Sequence, residues 1–254
     1  MKLIFDSHAH YLDAAFKNDR DELLTSLFDD SVCGIIESGT TVKDSKAGVK
    51  LAHRYPNMWA TVGVHPTECM KIHIEDIDQI KELAADPKVV AIGEIGYDLK
   101  KPLRCDQTTQ ELWFREQLIV ARELSKPVVI HCREAFELTY QMLKEYPVRG
   151  VVHCFSGSVE FMRDILNLGL YIGIGGAITF HNNRRLCEAA AEVPADRFLL
   201  ETDAPYMTPE PFRGTRCDSS LILHTAAKVA ELRACPIDAV LEQAAENTRT
   251  LFSL

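Results

Sequence analysis

Val128-Val129-Ile130-His131-Cys132 and Val151-Val152-His153-Cys154 carry one pattern twice, a short β-branched run that closes on a histidine. Apolar runs too short for a helix and bounded by turn residues read as strands covered on both faces. Working outward, runs of the same kind recur at residues 3–7, 32–37, 59–64, 89–94, 170–173 and 198–202, which join 127–131 and 150–153 as eight candidate strands. Between them apolar residues return with a helical period. In 108–124 these are Leu112, Phe114, Leu118, Ile119 and Val120, and Asp106 stands where an N-cap is wanted. Ser158 precedes another such stretch as a weaker cap. Residues 219–254 read as two helices that close the structure. Eight strands alternating with helices in 254 residues predict an α/β chain, a (β/α)8 TIM barrel. An open doubly wound sheet shows the same alternation, but so many strands in this length favour closure. No linker, repeat or low-complexity tract interrupts the pattern, so residues 1–254 read as a single domain.

Composition excludes several classes. With 46% hydrophobic and 26% charged residues the chain is not disordered. A net charge of −9 argues against coating long stretches of nucleic acid, because like charge repels phosphate. The closest two of the eight cysteines are Cys217 and Cys235, so there is no C-x-x-C pair for zinc or redox work. The N-terminal run Met1-Lys2-Leu3-Ile4-Phe5-Asp6 is broken by an acid, unlike a signal peptide, and no stretch is long and apolar enough for a membrane span. The expectation is a cytoplasmic protein that does not engage membranes, and no obligate protein partner is evident.

Chemistry concentrates where strands end. His8 and His10 follow the first run, Glu94 closes the fourth, His131 the fifth, His153 the sixth and Asp203 the eighth. In a barrel the carboxyl ends of all strands ring one mouth. Four imidazoles and two carboxylates exceed the need of one tetrahedral zinc and suit two divalent ions with a bridging carboxylate. Cys132 and Cys154 directly follow two of these histidines, and period-two alternation turns both toward the helices as buried thiols.

The stretches Asp6-Ser7-His8-Ala9-His10, Gly63-Val64-His65-Pro66, Ala91-Ile92-Gly93-Glu94-Ile95-Gly96-Tyr97-Asp98, Ile130-His131-Cys132-Arg133-Glu134-Ala135, His153-Cys154-Phe155-Ser156-Gly157 and Glu201-Thr202-Asp203-Ala204-Pro205-Tyr206 resemble the TatD family of metal-dependent deoxyribonucleases. The motifs run in family order through the whole chain, down to Asn247-Thr248 and Leu251-Phe252. The resemblance implies a metal-dependent hydrolase barrel of the amidohydrolase type that cleaves phosphodiester bonds, often as an exonuclease. By motif, His8, His10, Glu94 and Asp203 hold one metal, and Glu94, His131 and His153 the other. The sequence departs from the family pattern at Tyr97, where an aliphatic residue is common. It departs again at Cys217-Asp218-Ser219, where Asn and Glu-Pro commonly follow Arg213-Gly214-Thr215-Arg216.

The expected reaction is attack of a water activated by two divalent ions (Mg, Mn or Zn) on a phosphodiester at a single-stranded or frayed DNA end. Asp203 and Glu94 are the catalytic candidates, Asp203 as the acceptor of the water's proton. Glu201, two residues before Asp203, either orients a ligand histidine or pairs with a cation. His65 is expected to donate to phosphate or to a structural acceptor. Arg133, Arg213 and Arg216 are candidate phosphate clamps, the last two equally readable as solvated charges. Tyr206, Phe212, Tyr97 and Phe155 pack on the rim or stack on bases. The alternatives are a hydrolase of small esters, lactones or amides, and a noncatalytic binding protein.

Overall fold

The computed structural model describes residues 3–71 and 73–254, so Met1 and Lys2 of the N-terminal run lie outside the described residues. Eight parallel strands run in sequence order: β1 (Ile4–Ala9), β2 (Val32–Glu37), β3 (Met58–Val62), β4 (Val89–Asp98), β5 (Val128–Arg133), β6 (Gly150–Val152), β7 (Tyr171–Ile174) and β8 (Phe198–Leu200). After them in turn come α1 (Arg20–Asp30), α2 (Val42–Ala52), α3 (Ile77–Leu83), α4 (Gln107–Glu123), α5 (Phe136–Glu145), α6 (Val159–Asn167) and α7 (Arg184–Glu192), with α8 (Ile222–Arg233) and α9 (Ile237–Phe252) both following β8. The sheet comes round on itself. Asp203 N–H donates to His8 O at 3.0 Å, His10 N–H to Ala204 O at 2.7 Å, and Ala9 bridges Ala204. An open doubly wound sheet has no such seam, so the chain is a (β/α)8 barrel.

Two caps illustrate how sequence sets the helix starts. Asp106 accepts from Thr109 N–H at 2.9 Å, worth about 1 kcal/mol. Ser158, read as the weaker candidate, also caps, its Oγ accepting from Phe161 N–H at 3.4 Å.

Inside the barrel Phe5, Ala91, Val129, Val151, Tyr171 and Leu199 form an apolar layer near the strands' amino ends, which α9 covers with Ala245, Leu251 and Phe252. Residues two further along a strand share that inward face. Val129 therefore leads to His131, Val151 to His153 and Leu199 to Glu201, so an apolar floor continues upward into a polar mouth. The intervening Val128, Ile130, Cys132 and Val152 belong to the larger layer between barrel and helices.

Two strand ends differ from expectation. Glu94 does not close β4. Past a register shift, Ile95, Gly96, Tyr97 and Asp98 pair with Ile130, His131, Cys132 and Arg133 of β5, and this ladder rises above the mouth. Gly96, at φ +138°, permits the approach, because a Cβ there would sit 2.1 Å from His131 O. Conversely, β6 stops at Val152, and Cys154 adopts a left-handed φ of 44°.

Candidate metal centre

The six ligands expected from the sequence meet at one place. His8, Glu94 and His153 form one group, His8, His10 and Asp203 a second, and His65, Glu94 and His131 a third, each with its donor atoms mutually within 4.8 Å. Glu94 is the hub. Its Oε1 lies 2.7 Å from His131 Nδ1, 2.7 Å from His153 Nε2 and 3.3 Å from His65 Nε2. Its Oε2 lies 3.4 Å from His8 Nε2 and 3.6 Å from His10 Nε2. One carboxylate thus turns one oxygen to each half of the cluster. Asp203 Oδ1 completes the β1 side, 3.3 Å from His10 Nε2 and 3.7 Å from His8 Nε2.

The donor set fits a cation. His10 Nδ1 faces the carbonyl of Ser38 at 3.1 Å and must carry a hydrogen there. In the neutral ring Nε2 then presents a lone pair, and it points at His8 Nε2 3.1 Å away. Such a pair needs a proton or a metal ion between or beside it. The electrostatics agree. Although burial works against it, the carboxylate of Asp203 and the charge of Glu94 push His10 up to about 9. Glu94 falls well below the ordinary carboxylate range despite its burial, because His153, His65, His8 and His131 surround it. Two ionised carboxylates in a dry ring of imidazoles attract positive charge.

Behind the ligands stands a layer of polar residues that sequence reading missed, apart from Glu201. Ser38, one residue past β2, bonds His8 Nδ1 through Oγ at 3.0 Å as well as His10 through its carbonyl. Asp98 Oδ2 lies 3.2 Å from His131 Nε2, on the ring edge opposite Glu94. Glu201 Oε1 lies 3.6 Å from His153 Nδ1 and accepts the N–H of Cys154, while its Oε2 has no hydrogen-bond partner among the described residues. Glu37 accepts from Tyr11 N–H at 2.8 Å and Leu12 N–H at 2.9 Å, fixing the chain after His10. Asp6 accepts from Thr202 Oγ1 at 2.6 Å and Ser219 Oγ at 2.7 Å, tying β1 to the segment that bears Asp203. Of these, Ser38 and Asp98 bond ring nitrogens of the candidate ligands, the kind of contact that holds a ring tautomer and raises ligand basicity.

The remaining candidates separate sharply. His65 Nδ1 accepts from Thr67 N–H at 3.2 Å, so its neutral ring carries hydrogen on Nε2 and offers a donor, not a lone pair, to the cluster. Burial lowers its pKa and keeps it neutral, Glu94 opposing. Arg133 is half exposed at the end of β5, with Nη1 3.8 Å from Asp98 Oδ2. Arg216 is engaged elsewhere. It forks onto Asp19 at 2.7 and 2.8 Å, donates to Ala15 O and stacks over Phe16. Arg213 lies 3.8 Å over the Phe180 ring and donates to Thr208 O. Tyr97 and Phe155 are buried against Phe114 and Phe161, whereas Tyr206 and Phe212 are exposed.

Cys132 faces the helix layer, as alternation required. Cys154 does not. With β6 already ended, Cys154 is only partly buried and joins neither apolar cluster of the described residues, while its backbone N–H turns to Glu201. The expectation that it points to the helices is corrected, because alternation cannot extend past a left-handed residue.

Residues 5–253 match the family described as TatD related DNase. The chain is 34% identical over 258 residues to an uncharacterized metal-dependent hydrolase, YabD, of Bacillus subtilis strain 168, covering 99% of this chain and 100% of that one. It is 34% identical over 262 residues to the 3'-5' ssDNA/RNA exonuclease TatD of Escherichia coli K12, covering 99% of each. A solved structure of the TatD homologue YjjV from Escherichia coli K12 superposes with a TM-score of 0.94 at 30% identity, over 100% of this chain and 99% of that one.

Proposed function

Because the chain belongs to the family of TatD related DNases and is a metal-dependent hydrolase of ester bonds, we propose that it removes nucleotides from free, single-stranded or frayed DNA ends. The observation that carries the metal-dependent chemistry of this reading is the division of Glu94, one oxygen toward His131 and His153, the other toward His8 and His10. That arrangement supports two divalent ions, one held by His8, His10, Glu94 and Asp203, the other by Glu94, His131 and His153. Four imidazoles favour manganese or zinc over magnesium.

Bound divalent ions neutralise the nonbridging phosphate oxygens and lower the pKa of the attacking water. The chain supplies the rest. Asp203 accepts the water's proton at its carboxylate. Burial alone would raise its pKa, but the hydrogen bond and charge of His10 bring it below the usual value, so it stands ionised. His65 donates its Nε2 hydrogen to a phosphate oxygen, and Arg133 holds a second phosphate from the end of β5. Asp98 keeps His131 turned toward Glu94, and the carboxylate of Glu201 faces His153 Nδ1 from 3.6 Å. The net charge of −9 supports a substrate gripped through few phosphates, as a strand end entering the mouth would be.

The family relationship, rather than the metal centre, separates this reading from that of a carboxylic-ester, lactone or amide hydrolase, since the same ions attack carbonyl carbon. All eight cysteines are free, which supports a reducing, cytoplasmic setting; among the described residues no helix is long and apolar enough to cross a membrane. The whole chain, 1–254, acts as one catalytic domain in this reading. Hydrolysis of single-stranded DNA, blunt duplex DNA, RNA and carboxylic esters, each with manganese, zinc and magnesium, tests it. Single-stranded DNA should be shortened fastest; faster turnover of the carboxylic esters would defeat it.

A further inference from the structure

Beside the ligands the mouth carries a ring that the metal cluster does not use. Tyr206 follows Asp203 by three residues, and its N–H donates to Asp203 O at 2.9 Å. Its ring centroid lies 6.4 Å from that of His10, the planes at 60°, and the residue is 52% exposed. Its hydroxyl donates to Asp13 Oδ2 at 2.7 Å, while Asp13 Oδ1 accepts from Ala15 N–H at 2.7 Å. The phenol is thus pinned between the loops after β1 and β8, and its apolar ring is left to solvent. His10 and Asp203, the ligands next to it, are also on the accessible side, their side chains 14% and 18% exposed against none for His8.

We propose that Tyr206 is a stacking platform for the terminal nucleobase of the substrate. A rigid, amphipathic ring with its polar end already bonded offers a π-face without further ordering, and every base can stack on it. The proposal rests on the nuclease reading and adds the reason for single-strand preference. To lie on Tyr206 with its phosphate at Asp203, a terminal base must leave its partner and its neighbour, which a frayed end does readily and a closed duplex does not.

The test compares wild type, Tyr206→Leu and Tyr206→Phe on a single-stranded oligonucleotide with an intact or an abasic 3'-terminal nucleotide, at fixed manganese. Tyr206→Leu should raise KM on the intact end by about 10-fold, within the range of one base–aromatic stack, with kcat nearly unchanged. On the abasic end it should change nothing. Tyr206→Phe keeps the π-face but loses the bond to Asp13, so it should raise KM on the intact end less than Tyr206→Leu does and leave the abasic end unchanged. If Tyr206→Leu does not fold, Asp13→Ala keeps the ring and removes its anchor; KM should then rise on the intact end alone. Equal effects on intact and abasic ends, in a protein that cleaves both, would overturn the platform and leave the nuclease reading standing. A wild-type protein that cleaves neither oligonucleotide would fail the nuclease reading, and the platform with it.

Discussion

The mouth of this barrel holds polar residues of two origins, and they behave differently. His131, His153 and Glu94 lie on or directly after paired strands, and their neighbours in the ladder fix both height and facing. Arg213 and Arg216 lie in the long connection after β8, where no ladder sets direction. The first set converges to within hydrogen-bonding distance of a common carboxylate. The second bonds to what lies nearest, Phe180 and Thr208 for one, Phe16, Ala15 and Asp19 for the other. A charged residue in a loop is therefore weak evidence of a substrate contact, whereas a charged residue two places above a core valine is strong evidence of a site.

The hub residue gives the harshest trial of this contrast. Glu94→Ala removes the carboxylate shared by both halves, so turnover should fall by about three orders of magnitude or more, and metal content measured by plasma emission should drop. Chelation of wild type should abolish turnover equally while far-UV circular dichroism stays unchanged, since the barrel's own ladders hold the ligands. A Glu94→Ala protein with full metal and activity would remove the hub from the mechanism.

Two arginines sharpen the comparison at smaller cost. Arg133 ends a strand at the mouth, and Arg133→Ala should raise KM for single-stranded DNA by about 10-fold. Arg216→Ala should leave KM within about 2-fold and lower Tm by about 2 to 4 °C, as loss of a partly exposed ion pair with its packing does. The reverse ranking in kinetics would place the loop, not the strand end, on the substrate.

The smallest difference separates two cysteines. Cys132→Ala removes a buried thiol from the helix layer and should cost about 1 to 3 kcal/mol in denaturant unfolding, with metal content intact. Cys154→Ala, at a left-handed residue that is only partly buried, should cost less than about 1 kcal/mol. Equal losses would return Cys154 to the helix layer.

These contrasts also explain what was legible in the sequence. The eight strands, the two closing helices and the convergence of six candidate ligands were all visible, because each depends on local period or on position along one strand. Ser38, Asp98, Asp6 and Glu37 were not, because each acts on a residue of another strand or loop and its role exists only once the neighbouring register is known. Asp98 illustrates this well: it reaches His131 only because β4 continues past Glu94 and pairs Asp98 with Arg133. Cys154 was misplaced for a related reason, since the end of β6 and the left-handed turn that follows carry no pattern of their own.

The seam where β1 meets the end of β8 joins residues 196 positions apart, as the bond between Asp6 and Thr202 shows. Contacts of such range form late and slowly, whereas β4, β5 and β6 are neighbours along the chain. During synthesis, then, Glu94, His131 and His153 can assemble early, but His8 and His10 wait without a counterpart until residue 203 has left the ribosome. A half-made copy of the enzyme therefore lacks the β1 and β8 side of the cluster around Glu94.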